Sequence, residues 1–273
     1  MFNGVLKKMI TEFGTELKYY LVLENDFIFF NSLFDKNITI NFNGYSCLNC
    51  GSSEEIFRQG YCKKCFFDLP STAEWIIRPE MSKAHLGIED RDLEYEKQVQ
   101  IQPHILYLAY TSGVKIGVTR KSQVPTRWID QGAVKAVEII EVPNRYLAGI
   151  SESKLKEKYN DKTNWREMLK TSTTDIDLEK EKSECFSYLP NEVLEYISKN
   201  SVATEIKYPL IKSPDNPSFS PFFTDSIAFK ELLRASKCLE FEIIILLWED
   251  RLRFFDIISF NSDTRSLLRA EIR

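Results

Sequence analysis

The sequence predicts an α+β protein in which antiparallel β segments at both ends flank a central β-hairpin and its helices. Three observations predict this class. Runs of β-branched and aromatic residues alternate with turn residues in the first, middle and last parts of the chain. Two Cys-x-x-Cys pairs stand close together, as in a zinc ribbon. A helix-period pattern follows the central pair of strands. We therefore expect antiparallel sheets, a small metal module and a hairpin-helix domain.

Residues 1–45 are expected to form an antiparallel β segment, because apolar and polar residues alternate over KKMITEF, LKYYLVL, DFIFF and NITINF. The zinc ribbon is placed at residues 46–68. Its four ligands are Cys47, Cys50, Cys62 and Cys65. Four thiolates close a tetrahedral shell, so the zinc is expected to be structural. Disulfides or free thiols remain the alternative, and His85 is an alternative ligand.

Residues 69–102 are expected to be an irregular connector, with Pro70 and Pro79 and the charged run EDRDLEYEKQ. The central hairpin then follows. Its strands are ILYLAYT and VKIGVTR, and the Ser112-Gly113 pair between them supplies a tight turn. The local chemistry therefore predicts two antiparallel strands within a domain at residues 103–170.

The segment RYLAGISESKLKEKY is expected to form an amphipathic helix. Ala148, Leu155 and Tyr159 lie on the same face of this helix as Glu152. Burying a carboxylate on an apolar face destabilises the fold by several kcal/mol unless the carboxylate is paired or bound to a cation. Glu152 is therefore predicted either to pair with Arg127 or Arg166 or to bind a metal ion.

Residues 103–170 resemble the GIY-YIG nuclease superfamily. Ile105-Leu106-Tyr107 resembles its first motif and Lys115-Ile116-Gly117 its second, with Lys115 in place of the second tyrosine. Arg127 in TRWIDQG, Glu152 in AGISE and Asn164 in DKTNW match the helix arginine, the metal-binding glutamate and the late asparagine. The fold class that this resemblance implies is a central GIY-YIG-like hairpin and helix domain.

The resemblance also implies roles for these residues. Glu152 would hold a catalytic Mg²⁺ or Mn²⁺, Tyr107 would deprotonate or orient the attacking water, and Arg127 would clamp phosphate oxygens. Lys115 would lower the pKa of the tyrosine or act as the base itself. Gly117 would let the backbone approach substrate. Asn164 would fix the helix or orient the glutamate.

The hairpin register decides which tyrosine belongs to the site. A strict two-residue turn at Ser112-Gly113 would pair Tyr110 with Lys115 and leave Tyr107 on the opposite face. One extra residue would bring Tyr107 to the face of Lys115. The sequence leaves both arrangements open.

The chain carries a formal net charge of −4, yet residues 103–170 hold twelve Lys and Arg against seven Asp and Glu. The candidate site is therefore locally basic, which favours nucleic acid, DNA or RNA, as the partner. Arg120 and Lys121 are candidates for phosphate contacts. His104 and Tyr110 are further candidate substrate-binding residues beside the hairpin.

Residues 171–200 are expected to form a helical linker in which Asn191 caps the segment NEVLEYISKN. Residues 201–273 are expected to be rich in β structure, with CLEFEIIILLW and RLRFFDIISF as a hairpin. Three stretches, QGYCKKCF, KIGVTRKSQVPTRWIDQGA and DKTNWREMLK, are also similar to the bacterial proteins grouped as domain of unknown function 2797. That similarity spans most of the chain and implies no activity.

The composition bounds the remaining expectations. Cys185 and Cys238 are too few and too scattered for a secreted disulfide framework, so we expect a cytoplasmic protein. The longest late apolar run, Ile243 to Trp248, is too short to cross a bilayer, so no membrane is expected. The predicted function is metal-dependent phosphodiester hydrolysis. The alternatives are a zinc-ribbon protein that binds nucleic acid without cutting it and a protein-interaction scaffold. The sequence leaves the oligomeric state open.

Overall fold

A computed structural model of the protein describes residues 4–33, 44–159 and 176–209. The chain divides into two compact units, one drawn from residues 1–67 and 208–273 and the other from residues 68–207. The predicted C-terminal hairpin, the NITINF segment and Asn164 lie outside the described residues.

The first unit contains a three-stranded antiparallel sheet in the order β1-β2-β3. Its strands are β1 (Ile10–Glu12), β2 (Lys18–Val22) and β3 (Phe27–Phe29). Tyr19 and Leu21 point inward from β2 and are buried, whereas Ile10 and Phe29 on the other face are exposed. This alternation follows from the period of two along a strand, which places successive side chains on opposite faces. The prediction of antiparallel strands in this part of the chain is confirmed.

The second unit is built on a four-stranded sheet in the order β5-β4-β6-β7. Its strands are β4 (His104–Tyr110), β5 (Val114–Arg120), β6 (Lys135–Val142) and β7 (Thr204–Glu205). The pairs β4-β5, β4-β6 and β6-β7 are all antiparallel. Every residue of β4 is buried because the strand lies between two neighbours and is covered on both faces. The sequence analysis did not predict β6.

Five α-helices are present among the described residues: α1 (Lys63–Asp68), α2 (Leu93–Gln100), α3 (Thr126–Ile129), α4 (Arg145–Leu155) and α5 (Leu178–Cys185). The predicted amphipathic helix is α4. It begins at Asn144, whose Oδ1 accepts a hydrogen bond of 3.0 Å from the backbone N–H of Leu147. The core beside it contains Ala148 and Leu155 of α4 together with Leu178 and Cys185 of α5. None of the helices in the described ranges is long and apolar enough to cross a membrane.

The segment expected to be an irregular connector has regular structure. It contains four short 3₁₀-helices, Pro70–Thr72, Glu74–Ile76, Pro79–Met81 and Ala84–Leu86, followed by α2. It packs against α4, where a β-carbon on Gly149 would lie 2.2 Å from the backbone nitrogen of Glu80. Glycine therefore permits a helix-to-backbone contact that no side chain would allow.

The expected helix at NEVLEYISKN is a 3₁₀-helix over Asn191–Tyr196 that begins at Pro190 and has no side-chain cap. Asn191 is thus the first residue of the turn rather than its cap. The φ of −59° at Pro190 agrees with the angle that the proline ring imposes.

Candidate functional site

The hairpin register places Tyr107 on the face of Lys115. Tyr110 pairs with Val114, Ala109 with Lys115 and Tyr107 with Gly117. The loop is therefore three residues long, 111–113, rather than the strict two-residue turn considered from the sequence. Because side chains alternate along a strand, Tyr107, Lys115 and Gly117 share one face, and Tyr110 belongs to the opposite face. Tyr110 is buried there in the main hydrophobic core.

The Tyr107 side chain lies over Gly117. A β-carbon built on Gly117 would be 2.6 Å from the Tyr107 hydroxyl oxygen and 2.7 Å from Cζ. The sequence analysis expected Gly117 to let the backbone approach substrate, and the structure shows that the tyrosine ring lies where a side chain at this position would be. The glycine is therefore needed by the protein's own packing, since a contact under 3 Å is far inside van der Waals separation.

The environment of Tyr107 keeps its phenol protonated. The side chain is 0% exposed, and within the described part of the chain its hydroxyl makes no close hydrogen bond, although Gln131 and Arg127 lie near enough to donate toward it. Burial raises the pKa of Tyr107 to about 12, while the positive charge of Arg127 opposes the rise and the negative charge of Glu152 adds to it. The net shift is upward because burial outweighs the positive charge of Arg127.

Glu152 lies on the buried side of α4 and is 7% exposed. Its Oε2 is 3.2 Å from Nζ of Lys156, one turn further along the helix. The pairing expected from the sequence was with Arg127 or Arg166, and Arg166 lies outside the described residues. Helix geometry makes Lys156 a ready partner, because residues four apart lie on the same face.

The charge of this carboxylate acts on Arg145, and so do the charges of two further arginines. Arg127 is on α3, Arg120 ends β5 and Arg145 begins α4, and all three are partly exposed. Burial lowers the pKa of Arg145 to about 10, with Glu152 opposing the shift and the charges of Arg120 and Arg127 adding to it. All three guanidinium groups carry their charge at neutral pH. The sequence analysis missed Arg145. Its place at the start of the Glu152 helix was the available signal.

His104 is buried and neutral. Its Nδ1 donates a hydrogen bond of 2.7 Å to the backbone oxygen of Gln102, and its Nε2 has no partner among the described residues. Burial lowers the pKa of His104 to about 4, and the charges of Arg145 and Arg120 lower it further. The ring is thus a hydrogen-bonded neighbour of the arginines. Lys121, in contrast, is exposed and pairs with Glu141, with Nζ 2.7 Å from Oε1.

The four cysteines of the first unit form a compact cluster. The Sγ atoms of Cys47, Cys50, Cys62 and Cys65 all lie within 4.8 Å of one another. The Sγ atoms of Cys50 and Cys62 are 3.8 Å apart. Tetrahedral zinc with bonds of about 2.3 Å separates its sulfur ligands by about 3.8 Å. The cluster therefore has the size and donor set of a four-thiolate metal site.

Local hydrogen bonds support this arrangement. The backbone N–H of Cys62 donates to Sγ of Cys47 at 3.3 Å, and Nδ2 of Asn49 donates to Sγ of Cys65 at 3.3 Å. Gly60 has a φ of +82° at the turn before Cys62. N–H groups aimed at sulfur favour the thiolate form that a metal requires. His85 takes no part, since its ring stacks on Tyr146 of α4 with centroids 4.6 Å apart.

Comparison with protein-family models shows which family this chain belongs to. Residues 35–239 match the family described as Protein of unknown function (DUF2797). The chain belongs to this family. The similarity that the sequence motifs suggested is thereby confirmed. Comparisons with curated proteins and with solved structures gave no match.

The match includes the four cysteines and the residues Tyr107, Arg127, Arg145 and Glu152, which we call the hairpin site. In this DUF2797 protein the hairpin site combines a buried carboxylate, a protonated phenol and several guanidinium groups. A carboxylate can hold a divalent ion with waters completing the shell, and guanidinium groups can bind phosphate oxygens. Among residues 4–33, 44–159 and 176–209, the cysteines are the one group of three or more potential metal ligands. A magnesium ion at Glu152 would thus have fewer than three such side-chain ligands among the described residues.

A second residue missed by the sequence analysis is Gln131, which follows α3. Its Oε1 is buried and has no partner in the described ranges. A hydrogen bond from the Gln131 side chain also lowers the pKa of Tyr107, against the larger effect of burial. An isolated glutamine carries no distinguishing signal in a sequence, so only its position in space reveals it.

Proposed function

We propose that this protein hydrolyses phosphodiester bonds in nucleic acid with a divalent metal ion held at Glu152, as a GIY-YIG-type endonuclease. The supporting observation is the meeting of Tyr107, Arg127 and Glu152 from three elements that are separate in sequence. The charges of Arg127 and Glu152 both act on the phenol of Tyr107. A carboxylate, a guanidinium and a hydroxyl are the groups needed to bind a metal, bind a phosphate and position a water.

Each residue has a chemical task in this proposal. The bound ion would neutralise charge on the phosphate and assist the leaving oxygen. Glu152 supplies the anionic ligand, and Mg²⁺ accepts a single carboxylate because it retains several waters. Arg127 donates its planar fork to the phosphate oxygens. Tyr107, protonated at neutral pH, would orient the attacking water by hydrogen bonding rather than by prior deprotonation, and the side chains that bury its hydroxyl would have to move to admit that water.

The test is a cleavage assay on labelled DNA and RNA of single-stranded, duplex and branched form, with Mg²⁺ or Mn²⁺ and with EDTA. Wild type should cut at least one substrate in a metal-dependent manner, and Glu152→Gln should abolish cutting while retaining binding. Glu157→Gln is the matched control, because Glu157 is an exposed carboxylate whose contact is the surface ion pair with Lys154. Cutting that persists in Glu152→Gln would refute the metal assignment.

The alternative is a nucleic-acid-binding protein that does not cut. The raised pKa of Tyr107 favours it, because a phenol with a pKa of about 12 is a poor base at neutral pH. This alternative predicts salt-dependent binding that survives EDTA, with no cleavage by wild type. A protein-interaction scaffold, the third possibility, predicts neither binding nor cleavage.

The cysteine cluster supports a structural zinc ion. Purified protein should contain about one zinc per chain, and strong chelators should lower the stability of the first unit. Cys62→Ser should lose the metal. Cys185→Ala should keep it, because Cys185 is buried in the core of the second unit. Stable wild-type protein without bound metal would contradict this assignment.

A further inference from the structure

We propose that Arg145 is a phosphate-binding residue, fixed in place by the segment before the hairpin and directed at the backbone of a nucleic acid held near Glu152. The inference rests on the proposed function in that it names a further contact for the same substrate. The resemblance to GIY-YIG nucleases assigns no role to this position. The proposal also gives the segment 69–102 a role in binding, because this segment holds Arg145 in place.

The Arg145 guanidinium is anchored from one side. Its Nε donates to the backbone oxygen of Trp75 at 3.2 Å, and its Nη2 donates to the backbone oxygen of Ile76 at 2.7 Å. Its Cζ lies 5.8 Å from the centroid of the Trp75 ring. A guanidinium has five N–H donors, so these two bonds leave donors for another acceptor. The cation is therefore oriented before any ligand arrives, which lowers the entropy lost on binding.

The sheet topology places Arg145 at the same end of the sheet as Arg120. Arg120, His104 and Val142 form one row across β5, β4 and β6. Adjacent strands are about 4.8 Å apart, so this row spans about 10 Å. Arg145 follows Val142 by three residues and starts α4, so it lies at the same end of the sheet as Arg120.

Arg145 and Glu152 also share one face of α4. They are seven residues apart, which is two turns and a rise of about 10 Å. That spacing is suited to a nucleic-acid strand with one phosphate at the carboxylate-bound ion and another at the arginine. The phosphates of one B-DNA strand recur about every 3.4 Å along the helix axis, so a rise of about 10 Å corresponds to roughly three of them.

The electrostatics of the site favour an anion at this point. A cation in the first turn of a helix is disfavoured by the helix dipole. The charges of Arg120 and Arg127 act on Arg145 in the same unfavourable direction, and the carboxylates that oppose them are Glu152 and Glu80. Each of these carboxylates also has another partner, because Glu80 pairs with Arg78 and Glu152 pairs with Lys156. A phosphodiester oxygen would offset the repulsion, and an arginine fork binds it with directed hydrogen bonds.

The competing interpretation is that Arg145 only fastens the segment 69–102 to α4. The two hydrogen bonds to backbone oxygens are sufficient for that role. It predicts that a folded variant without Arg145 binds nucleic acid as wild type does. The two interpretations therefore separate in the salt dependence of binding, which a purely structural residue would not change.

The experiment measures binding of labelled DNA and RNA oligonucleotides in EDTA, so that no cleavage occurs, over a series of salt concentrations. Arg145→Gln should weaken binding by about tenfold and reduce the slope of log K against log salt by about one. Arg78→Gln is the matched control, because it removes an exposed arginine of the same segment that pairs with Glu74 and Glu80. Its slope should equal that of wild type.

A second readout guards against misfolding of Arg145→Gln. Inorganic phosphate should raise the Tm of wild type and of Arg78→Gln by mass action, and Arg145→Gln should lose most of that rise. Wild-type affinity and slope in Arg145→Gln would overturn the inference. So would wild type that binds neither oligonucleotide at low salt.

The outcomes distinguish a failure of this phosphate contact from a failure of the nuclease proposal. If wild type does not cut but Arg145→Gln changes binding as expected, the enzyme assignment fails and the phosphate contact stands. If Glu152→Gln abolishes cutting but Arg145→Gln binds like wild type, the contact fails and the enzyme assignment stands.

Discussion

The hydroxyl oxygen of Tyr107 lies 2.6 Å from the position that a β-carbon on Gly117 would occupy. The two residues face each other across β4 and β5, so the ring of one fills the space left by the missing side chain of the other. The glycine of the second hairpin motif therefore sets the position of the tyrosine in the first.

We expect Gly117→Ala to lower the free energy of unfolding by about 1–3 kcal/mol, because the new methyl group must displace a fully buried ring. Chemical denaturation measures this change. Gly113→Ala is the control, since a β-carbon there meets nothing within 4 Å. Equal stability of the two variants would contradict the close contact.

Tyr107→Phe should separate stability from activity. The buried hydroxyl makes no close hydrogen bond among the described residues, so its removal should change the free energy of unfolding by at most about 1 kcal/mol. If the proposed function holds, the same variant should lose cleavage. Denaturation and the cleavage assay measure the two effects, and a clear loss of stability would show that the hydroxyl is satisfied in the folded protein.

Gly149→Ala should destabilise the second unit, although alanine is the better helix former by about 1 kcal/mol. Its β-carbon would lie 2.4 Å from the carbonyl carbon of Pro79 and 2.2 Å from the Glu80 nitrogen, and backbone cannot rotate away. Thermal unfolding should show a lower Tm. Ser153→Ala, at an exposed position of the same helix, should leave the Tm unchanged or raise it.

His104 should make the protein less stable in mild acid. Its pKa is about 4 when folded and about 6.5 when unfolded. The unfolded chain therefore takes up the proton first, and stability present above pH 6.5 is lost as the pH falls from about 6.5 to about 4. The full loss amounts to about 3 kcal/mol.

Denaturation of wild type and His104→Gln across this pH range isolates the histidine, because all carboxylates contribute equally to both proteins. The difference in stability between the two should shrink as the pH falls. A constant difference would show that His104 titrates normally, despite the charges of Arg145 and Arg120 beside it.

Lys182 should be a stabilising residue of α5. It is 3% exposed, and its Nζ donates to the backbone oxygens of Ser198 and Ser201 and, at 2.6 Å, to Oγ of Ser201. Lys182→Met should cost about 2 kcal/mol or more, because these acceptors lose their donor. Lys180→Met, at an exposed position of the same helix, should change stability by under about 0.5 kcal/mol. Chemical denaturation compares them, and equal effects would contradict the buried contacts.

Short-range features of this protein follow from the sequence. The antiparallel strands of the first unit and the central hairpin are recognisable because alternating side chains and turn residues act within a few positions. The cysteine cluster is equally local, since two Cys-x-x-Cys turns need only approach each other. The helix carrying Glu152 is likewise visible from its apolar period.

Only the tertiary structure decided the arrangement of the hairpin site. One extra loop residue set the face of Tyr107, and no rule of composition distinguishes a two-residue loop from a three-residue loop here. Burial, not sequence neighbours, set the pKa of the phenol. Arg145 joined the site through carbonyls some seventy positions earlier in the chain. Backbone carbonyls and desolvation leave no mark on residue identity, so they act only once the chain has folded.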